Sequence, residues 1–256
     1  MDSRVAWITG SGRGLGAAIA RRLAADGLTV CLSDLDLAAA QEVVAEIESA
    51  GGAALAMHGD VTDQESTDSN IGQILDSYGR IDVLVANAGI IIAGPPEELD
   101  IEKFQKILDV NTLGVWRCNR AVVPTMKRQR SGKIINCASI AGHRGSKDNA
   151  IYCASKFAVV GLTQALAHDM AEFGVTVNAY CPGIVDTDMW VYMDKVRSDL
   201  MGRELGAGLQ AAIDQIPLGR VEQPEDVANF VSFLASPDSD YMTGQSVNIC
   251  GGLHML

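Results

Sequence analysis

Seven short runs of apolar and β-branched residues recur along the chain, separated by longer stretches with the 3.6-residue period of a helix. They are RVAWIT (4–9), LTVCLS (28–33), AALAMH (53–58), IDVLVA (81–86), GKIINCA (132–138), VTVNAYC (175–181) and QSVNIC (245–250). Several are apolar at almost every position, as strands are when helices cover both faces of a parallel sheet. Between them, GAAIARRLAADG sets Ile19 and Leu23 on one face and stops at Gly27, while DLAAAQEVVAEIESAGG repeats Val44 and Ile47 and stops at Gly51 and Gly52. The alternation predicts an α/β fold: a doubly wound, mostly parallel seven-stranded sheet with right-handed crossovers and helices on both faces. No linker, repeat or low-complexity stretch divides residues 1–256, so a single domain is expected. The pattern lapses once, over about 187–218, in a polar and Met-rich insertion placed to cover a site as a lid.

Several partners are disfavoured by composition. A formal charge of -12 argues against a surface that neutralises many phosphates, so nucleic acid is not expected. No apolar run approaches the roughly 20 residues of a membrane helix, and MDSRVAWITG lacks the apolar core of a secretory signal. No membrane association is expected, and the location expected is cytoplasmic. The six cysteines are scattered among small and apolar residues without C-x-x-C spacing and read as buried thiols in a reducing compartment. The four histidines form no ligand-spaced pair, and no metal is expected.

The first strand runs into TGSGRGLGAAIA, with Gly10, Gly12, Gly14 and Gly16 ahead of a helix. Glycines there allow positive φ and close approach of backbone to a pyrophosphate, and the amides at the helix start face the anion. Asp34 closes the second strand, where its carboxylate can accept hydrogen bonds from the adenosine ribose and would repel a 2′-phosphate. Arg13 pulls toward a 2′-phosphate instead. Two anions held close repel by about 4 kcal/mol at an effective dielectric near 20, whereas an arginine can swing into solvent. NAD is therefore the predicted cofactor. Asp34 could also be a helix cap, a role that Asp36 in the same stretch could fill.

NAIYCASKFAVV (149–160) sets Tyr152 and Lys156 four apart, neighbours on one helical face. Such a pair alone needs no functional explanation. Taken with TGSGRGLG (9–16), NAG (87–89), Asn111, Ser139 and PGIVDT (182–187), in this order and spacing, it makes the whole chain resemble a short-chain dehydrogenase/reductase, a family with a Rossmann fold. Two positions depart from that pattern: Ala86 stands where a second asparagine is usual, and Cys250 replaces an acid common before the final glycines.

The resemblance implies that Tyr152 is the acid/base, that Lys156 lowers its pKa and holds the nicotinamide ribose, that Ser139 polarises the substrate oxygen, and that Asn111 supports a water relay. Bringing a phenol from about 10 to about 7 takes about 4 kcal/mol of preference for phenolate, which one nearby cation in a partly screened site supplies. The implied cofactor contacts are Gly10, Gly12, Arg13, Gly14, Leu15 and Gly16, then Asp34, Asp60 and Val61. Asn87, Ala88 and Gly89 follow, with Tyr152, Lys156, Pro182, Gly183, Val185 and Thr187. Within the family the chain most resembles acetoin reductases (2,3-butanediol dehydrogenases), with sorbitol-type polyol dehydrogenases close behind. A substrate pocket of Ser139, Ile140, His143, Asn149, Tyr152, Ile184, Trp190 and Met193 is mainly apolar, which suits a small diol or ketone better than a long polyol. His143 could donate to a second substrate oxygen or face water, and Trp190 and Met193 could equally be lid packing. Two other readings are a 3-oxoacyl thioester reductase, which should show a basic entrance, and a nucleotide-sensing protein without turnover. Helices over about 103–127 and 151–173 correspond to those through which family members form homotetramers or homodimers.

Overall fold

The structure is a computed structural model that describes residues 3–202 and 204–255. Strand β1 (Val5–Thr9) leads through α1 (Gly14–Ala25) to β2 (Thr29–Asp34), and α2 (Leu37–Ser49) leads to β3 (Ala53–His58). The chain then crosses back by α3 (Gln64–Tyr78) to β4 (Val83–Ala86). Next come α4 (Ile101–Leu108), a π-helical turn (Asp109–Gly114) and α5 (Val115–Gln129), followed by β5 (Gly132–Cys137). Helix α6 (Ala150–Ala171) precedes β6 (Val175–Pro182). Helices α7 (Asp188–Met201), α8 (Ala207–Ile213) and α9 (Pro224–Ala235) separate it from β7 (Ser246–Ile249).

All seven expected strands form. They lie in the order β3-β2-β1-β4-β5-β6-β7, and every pairing is parallel. The order reverses between β1 and β4, and the crevice beyond the carboxyl ends of those two strands is where such sheets bind ligands.

The residues of β1 explain why both faces are covered. Ala6 and Ile8 pack into one core with Ile19 and Leu23 of α1 and with Val227, Val231 and Leu234 of α9. Their neighbours Val5 and Trp7 point to the opposite core, among Ile74 of α3, Val122 and Met126 of α5, and Val159 and Met170 of α6. Successive strand residues face opposite sides, so a strand between two helical layers must be apolar throughout.

Two expectations need correction. In α2 the fully buried stripe is Ala40, Val43 and Ile47; Val44 is half-buried at its edge, because the 3- and 4-residue steps from Ile47 centre the stripe on Val43. The span from 187 to 218, where the alternation lapses, carries two successive helices, α7 and α8; its residue 203 lies outside the described residues. Finally, α6, with 22 residues and an 18-residue stretch of mean hydropathy 1.3, is long and apolar enough to cross a membrane. It is a core helix instead: Val159, Leu166, Ala167 and Met170 are buried in the second core, and α6 also carries the buried Lys156.

Candidate active site

The loops after β1, β2, β3, β4, β5 and β6 meet around one cavity of about 1170 Å³. Its wall begins at the glycine loop. Gly14 has φ +54°, which favours glycine, and a Cβ on Gly16 would run into the Gly10 carbonyl oxygen. Only a glycine at 16 lets α1 start so close to β1. The first turn of α1 carries no acidic side chain, and its cap residue Arg13 makes no side-chain cap bond. The amides of that turn are thus available to an anion.

Asp34 and Asp36 divide the two roles that the sequence left open. Asp36 caps α2, its carboxylate accepting the Ala39 N–H at 3.2 Å. Asp34 lines the cavity, and its Oδ2 accepts the Gly12 N–H at 2.8 Å while Oδ1 accepts the Asp36 N–H at 3.0 Å. A carboxylate offers about four acceptor sites, so two remain for ribose hydroxyls. Gly12 itself does not line the cavity; it holds Asp34 in place. Arg13 does line it and lies 3.8 Å from Asp188, both side chains being largely exposed.

The neighbouring loop is tied to the first. Asn87 Nδ2 donates to the carbonyls of Thr9 and Gly10, each at 3.0 Å, and its Oδ1 accepts the Tyr180 hydroxyl at 2.8 Å. Asp60 Oδ1 accepts from the backbone and hydroxyl of Thr62 at 2.8 and 2.7 Å. Asp60, Val61, Asn87, Ala88 and Gly89 all line the cavity, as do Gly10, Leu15 and Gly16. On the far side, the exit of β6 contributes Pro182, Gly183, Val185 and Thr187. These residues fit a dinucleotide: glycine-cleared backbone and helix amides for the pyrophosphate, an acid with acceptor capacity to spare at one end, and an extended groove between.

Ser139, Tyr152 and Lys156 converge at the other end of the same cavity. Ser139 follows β5 and is 7% exposed; its Oγ accepts the Ala141 N–H at 3.1 Å, which leaves its own proton to donate. Lys156 is 3% exposed, donates to Cys137 O at 2.8 Å, and its Nζ lies 5.7 Å from the centre of the Tyr152 ring. Burial pushes the Tyr152 phenol above its usual range, against the pull of the Lys156 charge and a hydrogen bond from Ser139; Cys137 and Cys153 raise it further. In the chain without cofactor, burial thus outweighs the Lys156 ammonium.

Asn111 is buried in the π-helical turn and does not line the cavity. Its Oδ1 accepts the Ile90 N–H at 2.8 Å, while Nδ2 donates to Ile90 O at 2.9 Å and to Ser155 Oγ at 3.1 Å. It fastens the loop after β4 to α6, a role the resemblance does not name. His143 is also corrected. It is absent from the cavity wall and turns its Nε2 to Cys181 Sγ at 3.3 Å, with its ring centre 6.4 Å from that of His254. Ile140, Asn149, Ile184, Trp190 and Met193 do line the cavity. So do Ile91, Arg144, Tyr192 and Gln215, which sequence reading missed. Tyr192 belongs to no strand or loop motif; only its place on α7, between Trp190 and Met193, could have pointed to it.

A family model described as enoyl-(acyl carrier protein) reductase matches residues 10–254. A diacetyl reductase, (S)-acetoin forming, of Staphylococcus epidermidis is 40% identical over 253 residues, 98% of each chain. An L-2,3-butanediol dehydrogenase of Corynebacterium glutamicum is 42% identical over 254 residues, again 98% of each. The crystal structure of an actinorhodin polyketide ketoreductase variant with NADPH superposes with a TM-score of 0.95 at 35% identity, covering 98% of this chain and 97% of that one.

Proposed function

The chain belongs to the short-chain dehydrogenase/reductase family of NAD(P)-dependent oxidoreductases, and from that premise we propose that it interconverts a small vicinal diol and its hydroxyketone with NAD. The observation that carries this reading is the meeting of Ser139, Tyr152 and Lys156 in the cavity that Asp34 and the glycine loop line at its other end. When bound, the nicotinamide cofactor takes up hydride from the alcohol carbon or returns it to the ketone. In oxidation, Tyr152 as phenolate takes the hydroxyl proton; in reduction, the phenol gives it back to the carbonyl oxygen. The Ser139 hydroxyl donates to that same oxygen and fixes it beside Tyr152. Lys156 commits one of its three protons to Cys137 O, and the other two are available to the tyrosine and to the ribose.

Asp34 supports NAD over NADP, because a 2′-phosphate would have to approach its charge. Ile140, Ile184, Trp190 and Met193 give the substrate end an apolar wall with few polar groups, and the named activities of the two bacterial relatives act on four-carbon diketones and diols. A 3-oxoacyl thioester reductase is the second reading. Lys106 and Arg144 on the cavity wall favour it as cations that could meet an anionic carrier, although Asp109 and Asp188 share that wall.

Purified protein assayed with NAD or NADP against acetoin, butanediol stereoisomers, hexitols and a 3-oxoacyl thioester separates these readings. The expected result is turnover of acetoin and butanediol with a clear preference for NAD. Tyr152→Phe should lower kcat by at least about a thousandfold with little change in NAD affinity. Preference for the thioester with NADPH would overturn the proposal.

A further inference from the structure

A buried carboxyl group beside the cavity takes no part in the chemistry above. Glu222 is 7% exposed and sits just before α9. Its backbone N–H donates to Ile184 O at 2.8 Å, and its carbonyl accepts the Asp186 N–H at 2.9 Å. Val185 pairs with it as an isolated parallel bridge. The side chain turns back on the same segment: Oε2 accepts the Gly183 N–H at 2.9 Å, a donor shared with Ile249 O at 2.9 Å. Oε1 is buried without a hydrogen-bond partner. One residue thus holds 183–186 at three points, and Gly183, Ile184 and Val185 form cavity wall.

A buried carboxylate ordinarily needs a cation or several donors to stay ionised. Glu222 has one shared N–H. The charged and titratable groups around it are Arg220, Asp226 at the start of α9, and Cys250 at the end of β7. Arg220 is committed to Asp226 at 2.6 Å, and Cys250 packs so close to Gly183 that a Cβ there would lie 2.8 Å from its own. Burial pushes the Glu222 carboxyl up to about 8; the Gly183 amide opposes this, Asp226 adds to it, and Arg220 opposes it.

We propose that Glu222 is a positioning residue for the cofactor wall at the exit of β6, and that its carboxylate, when ionised, favours the oxidised over the reduced nicotinamide cofactor. The inference rests on the proposed function, with Val185 and Thr187 read as the wall that meets the carboxamide end of NAD. The oxidised ring carries a positive charge that the reduced ring lacks, so a negative charge behind that wall stabilises the first selectively. Protonated Glu222 has no such preference. As pH rises through its titration the proton is lost, and the bias toward the oxidised cofactor grows.

The test is equilibrium binding of NAD and NADH to the full chain, from about two pH units below to about two above that titration. In the wild type, affinity for NAD relative to NADH should rise about tenfold across the range. In Glu222→Gln the ratio should stay flat, since the amide oxygen still accepts the Gly183 N–H but carries no charge. In Glu222→Ala, both cofactors should bind about tenfold more weakly at every pH, with circular dichroism and the melting temperature checking that each variant is folded. The other ionisable groups of the site are common to all three proteins, so only the difference between them reports on Glu222. A flat wild-type ratio, or the same slope in Glu222→Gln, overturns the charge bias, and unchanged affinity in Glu222→Ala overturns the positioning role. Failure of the wild type to bind either cofactor would instead sink the reading of the site.

Discussion

Tyr152 and Lys156 share one face of α6 because they are four residues apart, and that much is legible in the sequence. What it could not supply is the balance of energies between them. Burial is a property of the surrounding fold, and here it outweighs the ammonium, holding the phenol above its usual value. The free protein should therefore keep Tyr152 protonated at neutral pH, and its titration should fall when the positively charged oxidised cofactor binds. Ultraviolet difference titration of the wild type against Tyr152→Phe, with and without NAD, measures this directly. Because oxidation needs the phenolate and reduction the phenol, diol oxidation should rise with pH through that titration and ketone reduction should fall. Lys156→Met removes the opposing charge, so the limb should move to higher pH by about one unit or more. An unmoved limb would assign the titration to another group. The contacts that sequence reading could not supply share one physical trait. His143 and Asn111 have partners far along the chain, in Cys181 and in Ile90 and Ser155, and no local spacing encodes such contacts.

Elements whose ends are set by adjacent residues carry a mark in the sequence. Asp36 caps α2 and Asp63 caps α3 through side chains within the same turn, and Gly79 ends α3 with φ +70°. Helices α7 and α8 lack that signature. No side-chain bond caps α7 at Thr187, and the cap of α8 comes from another helix: Asp194 of α7 accepts the N–H groups of Gly206 at 2.6 Å and Leu209 at 2.9 Å. A cap supplied across 12 to 15 residues leaves no mark that a reading of adjacent residues can find. It also makes Asp194 the clip that holds α7 and α8 together, with Trp190 and Met193 on one helix and Ala212 on the other facing the cavity. Asp194→Ala should cost about 1–2 kcal/mol locally and raise KM for the alcohol several-fold while leaving NAD affinity nearly unchanged. Faster proteolysis within 195–210 should accompany it. Equal loss of NAD affinity would show that the lid and the cofactor half are not separable in this way.

At the scale of the whole molecule, the alternation of strands and helices was enough to give the layers, because a parallel sheet covered on both sides admits few arrangements. It was not enough to separate an apolar face that packs inward from one that packs against another chain. The structure makes that separation on α5 and α6. Val122, Met126, Val159 and Met170 lie in the core, whereas Trp116 is 40% exposed, Leu113 47% and Phe157 47%. Leu113 and Trp116 sit where the π-helical turn meets α5, and Phe157 lies beside Lys156 on α6, the helix that also carries Tyr152. Burying such side chains is worth roughly 1.5–3 kcal/mol each, and a stable interface between copies needs about 1,000 Å² or more. Such a face suits contact between copies of the chain, in a homotetramer or a homodimer. Light scattering should then give about two or about four times the chain mass, and the double variant Trp116→Glu/Phe157→Glu should lower it. If that variant stays folded, its turnover should fall together with the assembly, because α6 loses the support that keeps Tyr152 and Lys156 in place. A wild-type monomer at micromolar concentration, or a dissociated variant with full turnover, would break that link.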